Sequence, residues 1–169
     1  VTGDNVYQHN LIVDRVFTEE NYLTEKKKFL DWVAASSPVN FNSIENQVID
    51  NYISRKKLNM DCSGTGLRSQ VFKTNSGITT GFGKKVKISY KGGPLNSNNE
   101  NTTVVQDFYL GQELQVIKAI DEVLLMLEQG DSAIIIAPSS IAFGSNGSST
   151  GLIPPETPVI YTIKLLESL

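Results

Sequence analysis

From Val116 to Leu127 the chain is nearly apolar once past Glu122, and Gly130-Asp131 leads at once into a second apolar block, Ala133–Ile136. A short helix with no polar face has nothing to offer water, so the rest of the fold must enclose it. The second block, bounded by Gly130 and Pro138, reads as a fully buried strand over Ala133–Ala137. A turn-rich segment, Pro138–Pro155, follows. Val159–Leu166 then closes the chain as a strand, with Pro158 at its margin because proline cannot donate to a ladder.

The remaining strands lie upstream. In Val86-Lys87-Ile88-Ser89-Tyr90-Lys91 apolar and polar residues alternate, the pattern of a half-buried strand. Gly92-Gly93-Pro94 is expected to stop it. Leu67–Lys73 and Thr103–Leu110 read as two further strands, the second broken by Gly111, while Thr74–Gly83 and residues 96–101 read as loops. About five strands and one buried helix make an α+β fold, with the helix Val116–Leu127 laid across an antiparallel sheet.

The first part of the chain has a different pattern. Residues 1–17 give no assignable period. Thr18-Glu19-Glu20 resembles a helix start, and Tyr22, Lys26, Phe29, Trp32 and Val33 fall at helical spacing before Ser36-Ser37-Pro38 ends the run. A second helix is expected from Ser43, with Ile44, Val48, Ile49, Tyr52 and Ile53 on one face, dying in the polar stretch 59–66. Both helices are amphipathic and need a surface to lie on: the compact domain, each other, or a partner. The division is residues 1–64, helical, and 65–169, compact.

Composition excludes several function classes. Among 169 residues the net charge is −3, with no basic-aromatic patch, so nucleic acid is not an expected partner. Lys26–Lys28 and Arg55–Lys57 read as solvated helix faces. Cys62 is the one cysteine and His9 the one histidine, which leaves no internal disulfide, no Cys-rich zinc site and no Ser-His or Cys-His machinery. No metal or cofactor is expected. No run approaches the roughly 20 apolar residues that span a bilayer. The glycine-rich Gly144–Gly151 has neither a lysine nor a following helix, which argues against a phosphate cradle.

One ordered set of short motifs crosses the last sixty or so residues: Leu110-Gly111, Val116-Ile117, Gly130-Asp131, Ile136-Ala137-Pro138, Phe143-Gly144, and Gly151-Leu152-Ile153-Pro154-Pro155 followed by Thr157, Val159 and Tyr161. The order resembles the FKBP-type (immunophilin) peptidyl-prolyl cis-trans isomerases over residues 65–169. The resemblance implies a half-barrel sheet wrapped on one helix, with a pocket for a prolyl ring between them. Residue by residue it implies Tyr90 as the strand tyrosine of that pocket, and Val116 and Ile117 as the pair at the helix start, the Ile117 amide donating to substrate. It implies Ile120 as the pocket floor, Ile141 and Phe143 as the two aromatic positions of the loop before Gly144, and Leu152 and Ile153 as its hydrophobic tip. Tyr161 matches an aromatic of the last strand and Phe108 the strand aromatic before Leu-Gly. Leu95 and Asn96 match a Phe-Asp pair once the hairpin tip is deleted.

Of these, Tyr90, Ile117, Phe143 and Tyr161 are expected to act on the substrate. Phe108, Val116, Ile120, Ile141, Leu152, Ile153, Leu95 and Asn96 are expected to bind it. The same residue types serve equally well as plain core, and only their joint spacing favours a pocket. Ile120, Phe143 and Leu95-Asn96 depart from the family's usual tryptophan, tyrosine and Phe-Asp, which implies reduced activity, or a non-catalytic polypeptide-binding module. A proline-containing polypeptide is the implied partner, and a macrolide of the immunosuppressant type an implied ligand. The resemblance reaches bacterial envelope lipoproteins of the gliding-motility-associated type. It thereby implies the periplasm or outer membrane, a signal peptide ending in a lipidated cysteine before Val1, a loop over the pocket at 145–150, and homodimerisation through the N-terminal helices.

Overall fold

A computed structural model describes residues 43–97 and 102–169, together with Thr24 and Lys28. The expected first helix lies outside the described residues except for those two, both helical. The fold is α+β as expected, with six strands among the described residues where about five were anticipated.

In chain order the described elements are α1 (Ile44–Lys56), β1 (Asp61–Cys62), β2 (Arg68–Phe72), β3 (Lys85–Pro94), β4 (Val104–Tyr109), α2 (Lys118–Leu124), β5 (Ser132–Ala137), a 3-10 turn (Ser139–Ile141) and β6 (Val159–Ser168). The strands form one antiparallel sheet in the order β1-β2-β5-β6-β3-β4. Because strand side chains alternate between faces, Ile135 and Tyr161 point to one side and their neighbours Ile136 and Ile160 to the other.

The inner face carries Val86, Ile88, Phe108, Ile135, Ile163 and Leu165, and it packs on Ala119, Ile120, Val123 and Leu124 of α2. At roughly 2 kcal/mol for each large side chain taken out of water, this cluster supplies most of the drive to fold. The outer face is covered by α1, whose Ile49 is fully buried against Leu95 and Ile136.

Polar contacts fix α1 in place. Ser43 caps it by accepting the Asn46 N–H at 3.2 Å. Buried Arg68 reaches across from β2 and donates to Asn46 Oδ1 at 3.1 Å, Gly66 O at 2.7 Å and Asp50 Oδ1 at 3.0 Å. Asn46 is therefore buried although it is polar, while Ile44, expected on the apolar face, is 81% exposed.

Three element boundaries differ from expectation. The central helix runs only Lys118–Leu124: Ile117 is its extended cap, and 3-10-type bonds from Met126 and Leu127 to Val123 and Leu124 tighten its end. β3 does not stop at Gly92-Gly93-Pro94, which pair with Tyr161, Ile160 and Val159. Glycine belongs at position 92 because a Cβ there would collide with the Ile160 carbonyl and lie 2.5 Å from the Tyr161 ring. In the polar 59–66 stretch, Asp61 and Cys62 pair with Ser69 and Arg68 through backbone alone, so no apolar period announced that strand.

The turn into β5 is organised by Asp131, whose carboxylate is inaccessible to solvent. Burial would raise its pKa. Hydrogen bonds from the Glu128 N–H and from the Thr74 N–H and hydroxyl, with Lys73 Nζ at 3.2 Å, more than offset this and hold it down at about 2.

Candidate functional site

Between the sheet, the start of α2 and the loop after β5 lies an open cavity of about 830 Å³. Each wall is set by a local feature of the sequence. β3 and β6 are adjacent, and Tyr90 pairs with Ile163, which places Tyr161 on the diagonal. Their rings meet edge to face, with centroids 6.0 Å apart at 68°. Val116 and Ile117 line the cavity because the chain is still extended there, the helix beginning only at Lys118. Ile120, one turn in, also lines it, and Ala142 and Phe143 come from the loop that follows the 3-10 turn.

Polar groups also reach this space. Tyr90 Oη donates to Gln106 Oε1 at 3.3 Å, and Gln106 Nε2 donates to the Gln115 carbonyl at 3.4 Å. Asp121 lines the cavity and accepts the Gly111 N–H at 3.2 Å. Burial pushes its carboxyl up to about 7, against a smaller opposing pull from the Gly111 amide and the Lys118 charge. The Tyr161 phenol is likewise raised to about 12, by burial and then by Tyr90. Lys28 and Glu113 also line the cavity. Among the described residues no group of three or more His, Cys, Asp or Glu could hold a metal ion, and Cys62 is exposed.

The sequence profile of the FKBP-type peptidyl-prolyl cis-trans isomerases matches residues 76–166, more than half of the chain. The chain belongs to the FKBP family. Its fold is also similar to that of the crystallised peptidyl-prolyl cis-trans isomerase of Pseudomonas syringae pv. tomato, at a TM-score of 0.56 and 18% identity, covering 90% of this chain and 98% of that one.

The FKBP fold brings six of the twelve expected residues to the cavity: Tyr90, Val116, Ile117, Ile120, Phe143 and Tyr161. The other six lie elsewhere. Phe108, Ile141 and Ile153 are buried in the inner core. Leu152 is 78% exposed at the loop tip. Leu95 is buried on the opposite face of the sheet, under Ile49 of α1, and Asn96 is exposed in the turn beyond it. The assignment of Leu95 and Asn96 to the pocket is thus corrected. β3 runs on to Pro94, so both residues follow the end of a longer strand, where Leu95 packs on its outer side and Asn96 faces solvent.

Sequence reasoning missed Gln106, Asp121, Leu114 and Lys28. Gln106 could have been found, since it stands two residues before inward-facing Phe108 on a strand. Asp121 follows Ile120 on a helix one expects to be buried. Leu114 sits in a turn, with φ 65°, that no periodicity marks.

The loop from Gly144 to Glu156 is braced from within. Ser148 N–H donates to the Ile153 carbonyl at 2.9 Å, Ile153 N–H to Ser148 Oγ at 2.9 Å, and Glu156 N–H to the Gly144 carbonyl at 2.9 Å. Gly147, at φ 73°, lies so close that a Cβ would come within 2.5 Å of the Ile153 carbonyl. Ser149 brings this loop to the cavity.

Proposed function

We propose that the chain catalyses cis–trans isomerisation of X–Pro bonds in unfolded or secreted polypeptides, at a reduced rate. The observation that carries this reading is the convergence of Tyr90, Val116, Ile117, Ile120, Phe143 and Tyr161 on one open cavity in a member of the FKBP family.

The barrier to the reaction, roughly 20 kcal/mol, arises because the amide nitrogen shares its lone pair with the carbonyl. Twisting the bond to a right angle removes that resonance and leaves a less polar nitrogen. An apolar hollow disfavours the planar, polar amide more than the twisted one, and each 1.4 kcal/mol of that difference gives a tenfold rate. Neither nucleophile nor metal is required. The prolyl ring would lie on Ile120 between Tyr90, Tyr161 and Phe143, with the Ile117 amide donating to a substrate carbonyl.

Two substitutions limit the rate. Ile120 is apolar but offers no flat platform for the ring, and Phe143 lacks a hydroxyl whose hydrogen bond would contribute about 1 kcal/mol. A location in the cell envelope, with a lipid anchor before Val1 and an N-terminal dimerisation arm, completes the proposal on resemblance alone.

The second reading is a polypeptide-binding module without turnover. The observation favouring it is the pair of polar groups, Asp121 and Gln106, in a hollow that catalysis needs apolar. A protease-coupled assay on a Leu-Pro tetrapeptide tests the choice. Turnover above the uncatalysed rate supports the isomerase. Binding of unfolded protein without any turnover leaves only the module.

A further inference from the structure

We propose that Gln106 is a ligand-binding residue, offering a side-chain N–H to a main-chain carbonyl of the peptide held in the cavity. This rests on the reading that the cavity takes a proline-containing peptide.

Gln106 is an amide on an otherwise apolar stretch of wall. It pairs in register with Ile88, and its neighbours on the inner face are Ile88, Tyr90 and Phe108. A half-buried primary amide is costly there unless its hydrogen-bonding groups are used. Which end of the amide faces which neighbour follows from the network. The Gln115 carbonyl can only accept, so the nitrogen must face it. The oxygen then receives the Tyr90 hydroxyl.

That nitrogen carries two N–H groups, and the bond to Gln115 uses one. At 3.4 Å the bond is also well beyond the usual 2.9–3.0 Å or so, so little is lost if the donor turns to a better acceptor. Gln115 directly precedes Val116 and Ile117, so the amide stands beside the segment that lines the cavity next to α2. A peptide entering an apolar hollow must desolvate its carbonyls, and any carbonyl left unpaired weakens binding. The Ile117 amide serves one peptide carbonyl, and Gln106 adds a second, neutral donor on the sheet side of the cavity, with Tyr90 acting as its orienting partner as well as a wall of the pocket.

The test is titration of a blocked Leu-Pro tetrapeptide into the full chain, the Gln106→Leu variant and the Gln106→Glu variant, with melting temperatures recorded for each. Both variants lose the donor, and Gln106→Glu keeps the acceptor for Tyr90 Oη and nearly the same shape, so it carries the test alone should Gln106→Leu not fold. The expected result is affinity weaker by about 3- to 10-fold in both. A second series uses the same peptide with each main-chain carbonyl near the proline reduced to a methylene in turn. For one of these the loss seen with the unaltered chain should vanish in the variants. Variants that bind within twofold of the unaltered chain would overturn the proposal, as would losses that add for every carbonyl removed. If the unaltered chain binds no proline peptide at all, the peptide-site reading itself fails, and this proposal with it.

Discussion

Tyr161 lies over Gly92 of the neighbouring strand, and its ring meets Tyr90 edge to face at 6.0 Å. An aromatic pair in this geometry contributes about 1 kcal/mol beyond the area it buries. Tyr161→Ala removes the pair and opens the cavity wall, so unfolding free energy in urea should fall by about 3 kcal/mol. Peptide affinity should fall at least tenfold. Tyr161→Phe, which keeps the ring, should stay within about 1 kcal/mol of the parent in the same measurement.

Gly92→Ala makes the converse point from the opposite strand. Its Cβ would meet the Ile160 carbonyl and stand 2.7 Å from the Tyr161 Cα, so backbone rather than a flexible side chain would have to move. A loss of about 2 kcal/mol in stability is expected. Because the displaced residue is Tyr161, peptide titration should show weakened binding, although position 92 has no side chain in the cavity.

Stability should depend on pH through Asp121. Its pKa in the folded chain, about 7, exceeds the ordinary 3.8, so the folded state holds this proton more tightly than the unfolded state. The resulting stabilisation is complete below about pH 4 and is lost as pH rises through 7, by a few kcal/mol at most. Urea unfolding followed from pH 4 to 8 should show this decline, and Asp121→Asn, which cannot ionise, should flatten it. Asp131, held at about 2, acts with the opposite sign and withdraws stability only as pH drops below the ordinary carboxylate range.

Glu45 links α1 to the pocket loop: its carboxylate accepts the Ser139 N–H at 2.6 Å and the Ser139 hydroxyl at 3.1 Å. Glu45→Ala leaves a buried N–H without its acceptor, at a cost of about 1–3 kcal/mol. Amide hydrogen exchange should quicken at Ser139 and in the turn after it, ahead of any change in the central strands.

The parts of the fold that could be read from the sequence are those governed by one strong local pattern. The alternation at Val86–Tyr90 and the unbroken apolar run at Ala133–Ile136 each admitted a single interpretation, and both strands form there. Six of the twelve expected residues, Tyr90, Ile117, Phe143 and Tyr161 among them, line the cavity for a different reason: the order of the family's motifs carried them over, while each taken singly read equally well as core. Leu95 was misplaced because burial has two sides in this sheet, and a sequence does not say which face a leucine serves. Gln106 and Arg68 were overlooked for the opposite reason. Polar residues on strands read as solvent-facing until the partners that satisfy them, here Tyr90 and Asn46, are brought close by the fold.

The family match opens at residue 76, yet the sheet does not. β2 lies between β1 and β5, and α1 roofs Ile136. A fragment excised at that boundary would keep every cavity tyrosine and still be a poor reagent. It would bare a greasy outer surface and turn β5 into a raw edge, an open template for intermolecular pairing.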